Sequence, residues 1–395
     1  MKPLRTTAQV SATIAGIALL LSIGMVRGED AASTPPAPSI EEIEAAIDQG
    51  VGFLLADQNE NGSWGSARQT KGLNIYAPIP GAHGAFRAAV TAMGITALIE
   101  SGRADSDPAV GEALHKAETW LLEELPKVRR ATPDAIYNVW THGYGIQALI
   151  RMHERDIVEK KTDRAERIRK LINQQVEMLR HYESVDGGWG YYDFRVGSQR
   201  PASSAISFTT ATMLVAFHEA ETRVPGIDVP DAMVDRAIKS INRQRKPDQS
   251  YLYGEYLKAR PMYGINRPGG SLGRTQACNI ALRYWGDETV TDDIMVEWLN
   301  RLRDRNGWLS IGRKRPIPHE SWFQVAGYFY YYGHYYAALC VESLPEEQAV
   351  PHRAMLAGVL LSLQEKDGSW WDFPFYSYHQ PYGTAFSLMA LARCR

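Results

Sequence analysis

The chain has 395 residues, of which 45% are hydrophobic and 22% charged, a composition that excludes wholesale disorder. Its formal net charge of −2 excludes a generally basic nucleic-acid binder. Three widely separated cysteines (Cys278, Cys340 and Cys394) form neither a disulfide scaffold nor a zinc knuckle.

From the N-terminus, Lys2 and Arg5 precede a stretch without charge that lasts until Arg27 and is apolar from Ile14 to Val26. This is the order of an export leader, and the sequence predicts a signal peptide over 1–28 with cleavage near Val26-Arg27-Gly28. Cleavage there removes three of the 43 basic residues and no acid, which leaves a net charge of −5. An uncleaved N-terminal membrane anchor is the alternative, because the uncharged stretch is about long enough to span a bilayer. Either form places the chain outside the cytoplasm, in the periplasm or beyond. Residues 29–39, with Ala31–Ser39 rich in Ser and Pro, form a flexible linker, so a single folded domain is expected over 40–395.

Beyond the linker the sequence repeats, alternating an amphipathic helix, a Gly/Trp/aromatic loop and a second helix rich in Ala, Gly and Thr. The first helices are expected near Glu41–Asp57, Val110–Leu125, Arg164–Tyr182, Val234–Arg245, Ile294–Arg303 and Arg353–Glu365. The second are expected near Ala88–Glu100, Tyr137–Glu154, Ile206–Glu219, Gly273–Tyr284, Phe323–Glu342 and Tyr382–Arg393. First helices carry one apolar stripe and a charged back, so one side faces solvent. Second helices are apolar or small nearly all round and must be buried. Six inner and six outer helices close into an all-α, (α/α)6 double-ring toroid; an open superhelix is the structural alternative. The mixed charge run 154–170 reads as a solvated helix face.

The loop after the first helix reads Gln58-x-x-x-Gly62-x-Trp64, and near the C-terminus it recurs as Gln364-x-x-x-Gly368-x-Trp370. Glu183-x-x-x-Gly187-x-Trp189 is a degenerate copy, and Asn306-Gly307-Trp308 reads as a further remnant. These motifs resemble the Gln-Trp repeats of the squalene and hopene cyclases, relatives of the protein prenyltransferase β subunits. The resemblance implies the shared α/α toroid, with each Gln meeting a helix end and each Trp stacking between repeats. It therefore makes Gln58, Trp64, Gln364 and Trp370 staples of the fold. The family's chemistry does not come with them. The Asp-x-Asp-Asp acid run of the hopene-type cyclases is missing, and the nearest pair, Asp292-Asp293, sits where it caps a helix. The zinc set of the prenyltransferases is missing too, with Gln276 two residues before Cys278 and Tyr331 where a His is required. No cofactor or metal is implied.

Outer-to-inner loops of such a ring emerge at one end. The four loops 190–201, 254–274, 312–322 and 371–383 contain nine Lys or Arg against four Asp or Glu, interleaved with Tyr and Trp. A mouth of this kind focuses positive potential on an anionic or sugar-like ligand, with Arg267, Arg274, Arg315, Tyr192, Trp371 and His379 as candidate binding residues. The competing account is mutual bracing of the loops through Arg–carboxylate and Arg–aromatic pairs. In the stretch 318–336, helical spacing sets Tyr330, Tyr331 and His334 on one face, preceded by His319 and Glu320. Facing the lumen, these groups are candidates for proton transfer, with Asp193 as a further acid; facing a neighbour, they are aromatic packing. Three functions fit: an exported cyclase-like protein holding an isoprenoid-like or anionic ligand in its mouth, a polysaccharide-active lyase on the same fold, or a non-enzymatic interaction scaffold. No nucleotide-, zincin- or serine-hydrolase motif is present.

Overall fold

A computed structural model describes residues 37–71, 81–193, 205–319 and 324–395. The predicted leader and the linker up to Pro36 lie outside the described residues. The outer helices are α1 (Ile40–Asp57), α3 (Pro108–Glu124), α5 (Thr162–Tyr182), α7 (Asp231–Gln244), α9 (Asp292–Asp304) and α12 (Glu346–Leu361). The inner helices are α2 (Ala82–Glu100), α4 (Asn138–Val158), α6 (Ser207–Arg223), α8 (Pro268–Tyr284), α11 (Tyr330–Glu342) and α13 (His379–Ala392), and a short α10 (Asn306–Ser310) follows α9. No strand is present among the described residues, only isolated bridges between loops.

Periodicity decides the layers. In α7 the buried residues Met233, Val234, Ala237, Ile241 and Gln244 form a single stripe, whereas α11 is buried at every position from Tyr330 to Val341. Helix α2 is long and apolar enough to cross a membrane, yet it is a core helix whose residues from Ala88 to Leu98 are all buried. Each inner helix packs on the next, α2–α4–α6–α8–α11–α13, and α13 packs on α2, so the inner ring is closed. Between α8 and α11 the backbones touch, because a Cβ on Gly333 would lie 2.6 Å from the Gly273 Cα. The outer helices pack chiefly on the inner helix that precedes them in the chain rather than on the one that follows. Short connections make this so, since α4 passes to α5 through only Glu159–Lys161. The first outer helix, α1, is therefore left to pack on the last inner helix, α13.

Local signals set the boundaries. Ser39 and Glu42 form a reciprocal capping box at α1, and Asp107 and Thr291 cap α3 and α9. Asp292 and Asp293 thus occupy the first turn of α9 rather than its cap, and Asp292 pairs with Arg283 at 2.5 Å. Helix α11 starts later than the sequence suggests: Gln324 has φ +48° and Gly327–Phe329 form a 3-10 turn, so regular helix begins at Tyr330. Helix α12 starts earlier, at Glu346, and ends at Leu361.

The Gln-Trp loops share one geometry. Trp64, Trp189 and Trp370 are fully buried, and each indole N–H donates at 2.8 Å to a carbonyl of the preceding outer helix (Leu54, Leu179 and Leu360). Their backbone N–H groups reach the hydroxyls of Thr91, Thr210 and Thr384 on the next inner helix. The Gln58 amide donates to Gly62 O and, across to α3, to Ala113 O at 2.8 Å. Glu183 stands in the glutamine's place and accepts two 2.8 Å bonds from Arg236 on α7. A fourth copy has no Trp: in Arg245–Tyr251, Lys246 N–H meets Ser250 O and Tyr251 fills the indole position, with its hydroxyl on Asn279. There Gln249 adopts φ +61°, where Gly62, Gly187 and Gly368 adopt +84° to +88°. The Asn306-Gly307-Trp308 segment is not a copy. It forms α10, and Trp308 is exposed.

Candidate functional site

The inner helices enclose a cavity of about 190 Å³ lined by sixteen residues, thirteen of them Phe, Tyr or Trp and none charged. Aromatic residues near the starts of five of the six inner helices (Phe86, Trp140, Phe208, Tyr332 and Tyr382; α8 contributes none) and loop residues such as Phe373 and Phe375 make up most of the lining. Rings pack edge-to-face around it, as Phe208 does on Phe329 at 4.9 Å and Phe86 on Phe375 at 4.8 Å. The phenolic hydroxyls are bound into the wall. Tyr332 donates to Phe208 O at 3.0 Å, Tyr137 pairs with Tyr192 at 2.5 Å, and Tyr191 pairs with Tyr253. A ligand therefore meets ring faces and edges.

Two acid–base groups stand directly behind this lining. The buried Asp372 carboxylate accepts from the Tyr382 hydroxyl and from the Tyr331 N–H at 3.0 Å. Burial raises its pKa to about 7 against the partial opposition of those hydrogen bonds. The second is His319. Its Nδ1 lies 2.7 Å from Gln324 O, which assigns the proton there, so Nε2 accepts from the Tyr328 hydroxyl at 2.9 Å. Burial lowers its pKa to about 4, so it is neutral at neutral pH. Tyr382 and Tyr328, the outer members of these pairs, both line the cavity.

The other predicted residues divide accordingly. Tyr192 reaches the lining through Tyr137, whereas Tyr330, Tyr331 and His334 do not line the cavity. Tyr330 and His334 belong to a closed hydrogen-bond triangle with Asn306 on the α10 side of α11, while Tyr331 meets Asp372 through its backbone N–H. Tyr330 OH donates to Asn306 Oδ1 at 2.6 Å, Asn306 Nδ2 donates to His334 Nε2 at 2.9 Å, and His334 Nδ1 donates to Tyr330 O at 2.7 Å. Burial holds His334 down to about 4 and pushes the Tyr330 phenol up to about 12. Asp193 pairs with Arg130 at 2.9 Å away from the cavity. Arg274 is fully buried and donates to three carbonyls, those of Tyr251, Gly270 and Ile265, and burial lowers it to about 10. Arg267 occupies the N-cap position of α8, and Arg315 is exposed with its Nε on Ile311 O. Trp371 has Lys71 and Lys314 over its ring at 5.2 and 4.5 Å and the His379 ring against it at 5.2 Å; His379 donates to Tyr376 O. Glu320, Arg195, Arg200 and Trp322 lie outside the described residues. The basic side chains thus brace loops or face solvent, and the cavity itself is aromatic. The missed signal was the aromatic residue recurring near the start of every inner helix except α8.

At the opposite ends of the inner helices lies a buried ion cluster. Arg151 on α4 donates to Glu100 at 2.8 Å and to Glu219 at 2.6 Å, and Arg393 at the end of α13 also pairs with Glu100. Burial alone would raise the Glu100 carboxyl, but Arg393 and Arg151 outweigh it and hold its pKa down to about 2.

Among the described residues no group of three or more His, Cys, Asp or Glu is arranged to hold a metal ion. No family model matches the chain. Its backbone is similar to that of cellobiose 2-epimerase from Bacillus thermoamylovorans, with a TM-score of 0.54 at 10% identity over 90% of this chain and 100% of that one. It is also similar to the α-1,6-mannanase GH76A of Salegentibacter, with a TM-score of 0.53 at 11% identity over 89% and 98%. The type II terpene cyclase MstE from Scytonema aligns with a TM-score of 0.47 at 15% identity over 89% and 97%. With the first two, at such identities, what is shared is the architecture: the chain is an α/α toroid, with six inner and six outer helices among the described residues.

Proposed function

We propose that this protein binds a compact, apolar, isoprenoid-like ligand, or the apolar end of a longer one, in the central cavity. The observation that carries the proposal is the lining: thirteen aromatic side chains of sixteen and no charge. Such walls favour hydrocarbon by burial and attract an electron-poor or cationic carbon through their ring faces. An apolar cavity of about 150 Å³ takes up benzene, so about 190 Å³ suits one or two isoprene units. A uronate needs Arg or Asn beside it, and neither lines this cavity, so the polysaccharide reading has no support there. In the Tyr382–Asp372 and Tyr328–His319 pairs the phenol oxygens are the polar points that can accept from a ligand hydroxyl. The leader expected from the sequence over 1–28 supports a site of action outside the cytoplasm.

Organic extraction of the purified protein followed by mass spectrometry tests the ligand class. A second arm titrates geraniol and a soluble oligouronate while following tryptophan fluorescence, with Trp140→Phe as the reporter control. Saturable quenching by geraniol that disappears in Trp140→Phe is expected. Saturable binding of the uronate without any isoprenoid response would overturn the proposal.

A further inference from the structure

We propose that the rim formed by residues 256–267 and 305–317 docks on an anionic lipid bilayer. Two independent properties coincide there. The first is exposed apolar surface: Tyr256 (59%), Met262 (74%), Tyr263 (46%), Trp308 (42%) and Ile317 (39%) are half of the ten exposed large hydrophobic side chains among the described residues. The second is charge. These two segments contain seven Lys or Arg and no Asp or Glu, within a chain of net charge −2. Glu255 and Glu365 reach in from outside to Lys258 and Lys314, and the imbalance survives them.

The two segments are neighbours. Gly264–Asn266 form a 3-10 turn that leads directly into α8, and Trp308 on α10 packs beside Gly269 in the first turn of α8. Gly312 rests against Val325 and Ala326, just before the cavity-lining Tyr328 and Phe329. The surface is thus contiguous with the loops that frame the cavity. Scattered exposed hydrophobics need no explanation, but a cluster with a matching excess of one charge is the pattern that anchors proteins at an interface. Apolar side chains enter the headgroup boundary while arginines and lysines meet anionic headgroups. A soluble acidic partner would satisfy the charges but leave Met262 and Ile317 in water.

Sedimentation with vesicles tests this, using phosphatidylcholine alone and with about one third phosphatidylglycerol. Binding is expected only to the anionic vesicles and should weaken with salt. Met262→Asp/Ile317→Asp should weaken partitioning at least tenfold, and so should Arg260→Gln/Arg315→Gln, while circular dichroism and geraniol binding in detergent-free solution stay unchanged. No sedimentation with anionic vesicles, or sedimentation indifferent to both double variants, would overturn the proposal. So would capture by a soluble polyanion to the same extent as by vesicles. Because geraniol binding is measured separately, failure of the docking surface leaves the cavity assignment standing.

Discussion

The side-chain amide of Gln364 donates at 2.9 Å to the carbonyl of Ala46, 318 residues earlier in the chain. Through this bond the last Gln-Trp loop grips the first outer helix, as Gln58 grips α3 through Ala113 at the start. The motif that elsewhere joins consecutive repeats here joins the two ends of the folded chain. Gln364→Ala should therefore cost about 1–2 kcal/mol, through loss of its partly buried hydrogen bonds to Ala46 O and Gly368 O. Trp370→Ala should cost about 3–5 kcal/mol through loss of a large buried ring. Urea unfolding measures both, and equal small effects would show that the ring does not depend on this seam.

Gln249 offers a stabilising change. It occupies the left-handed conformation that glycine takes in the three other loops. Gln249→Gly should raise stability by about 1 kcal/mol by removing that strain. Gly187→Ala should do the reverse, since a Cβ there would sit 2.6 Å from the Arg236 carbonyl oxygen. A thermal melt of each variant checks the opposite signs.

Asn306 holds both Tyr330 and His334. Asn306→Ala leaves a buried phenol and a buried imidazole nitrogen unmet, at about 1–3 kcal/mol for each lost partner. Geraniol affinity, measured below the unfolding transition, should not change, because none of the three residues lines the cavity. A parallel loss of affinity would return this cluster to the site.

Asp372 gives a pH signature of known sign. Its carboxyl is pushed from 3.8 up to about 7 in the folded protein, so the folded state holds the proton more tightly than the unfolded chain. Its contribution to stability is full at low pH and is lost as pH rises from about 4 to 7. Between pH 5 and pH 8 that loss is about 2–3 kcal/mol. His319 and His334, held down to about 4, work in the opposite direction over the same range. The measurable quantity is thus the difference between wild type and Asp372→Asn, in which the histidine contributions cancel. Asp372→Asn should gain stability relative to wild type as pH rises from 5 to 8; parallel pH profiles would contradict it.

Acid should also reach the ion cluster. Glu100 is held at about 2 against an ordinary 4.5, so its stabilisation is complete above about pH 4.5 and disappears as pH falls through 2. Arg151→Met leaves Glu219 with only Arg223 at 3.7 Å and Glu100 with only Arg393, and should cost about 3 kcal/mol at pH 7. The deficit should shrink once both acids are protonated, which denaturation at pH 2–3 reads directly.

The layers were legible because period and composition differ between the helix types: the stripe of α7 and the fully apolar run of α2 cannot trade places. The staples were legible where Gly and Trp survive. The copy at Arg245–Tyr251 was hidden because Tyr replaces the indole and Gln adopts the glycine conformation. The site was legible only in part. Helical spacing set Tyr330, Tyr331 and His334 on one face; Asn306 joins only Tyr330 and His334, and spacing cannot tell which side of a helix buried all round faces the lumen. Loop charge likewise pointed at arginines whose hydrogen bonds go to backbone carbonyls, as with Arg274. Asp372 counted as one mouth acid among four, and only its burial behind Tyr382 distinguishes it.

The Arg151–Glu100–Glu219–Arg393 cluster stoppers the far end of the ring with fixed charge. An oily molecule cannot leave past it without stripping those ions of their partners. A ligand held in the aromatic chamber as proposed would therefore come and go on the side away from that cluster, where the inner helices begin.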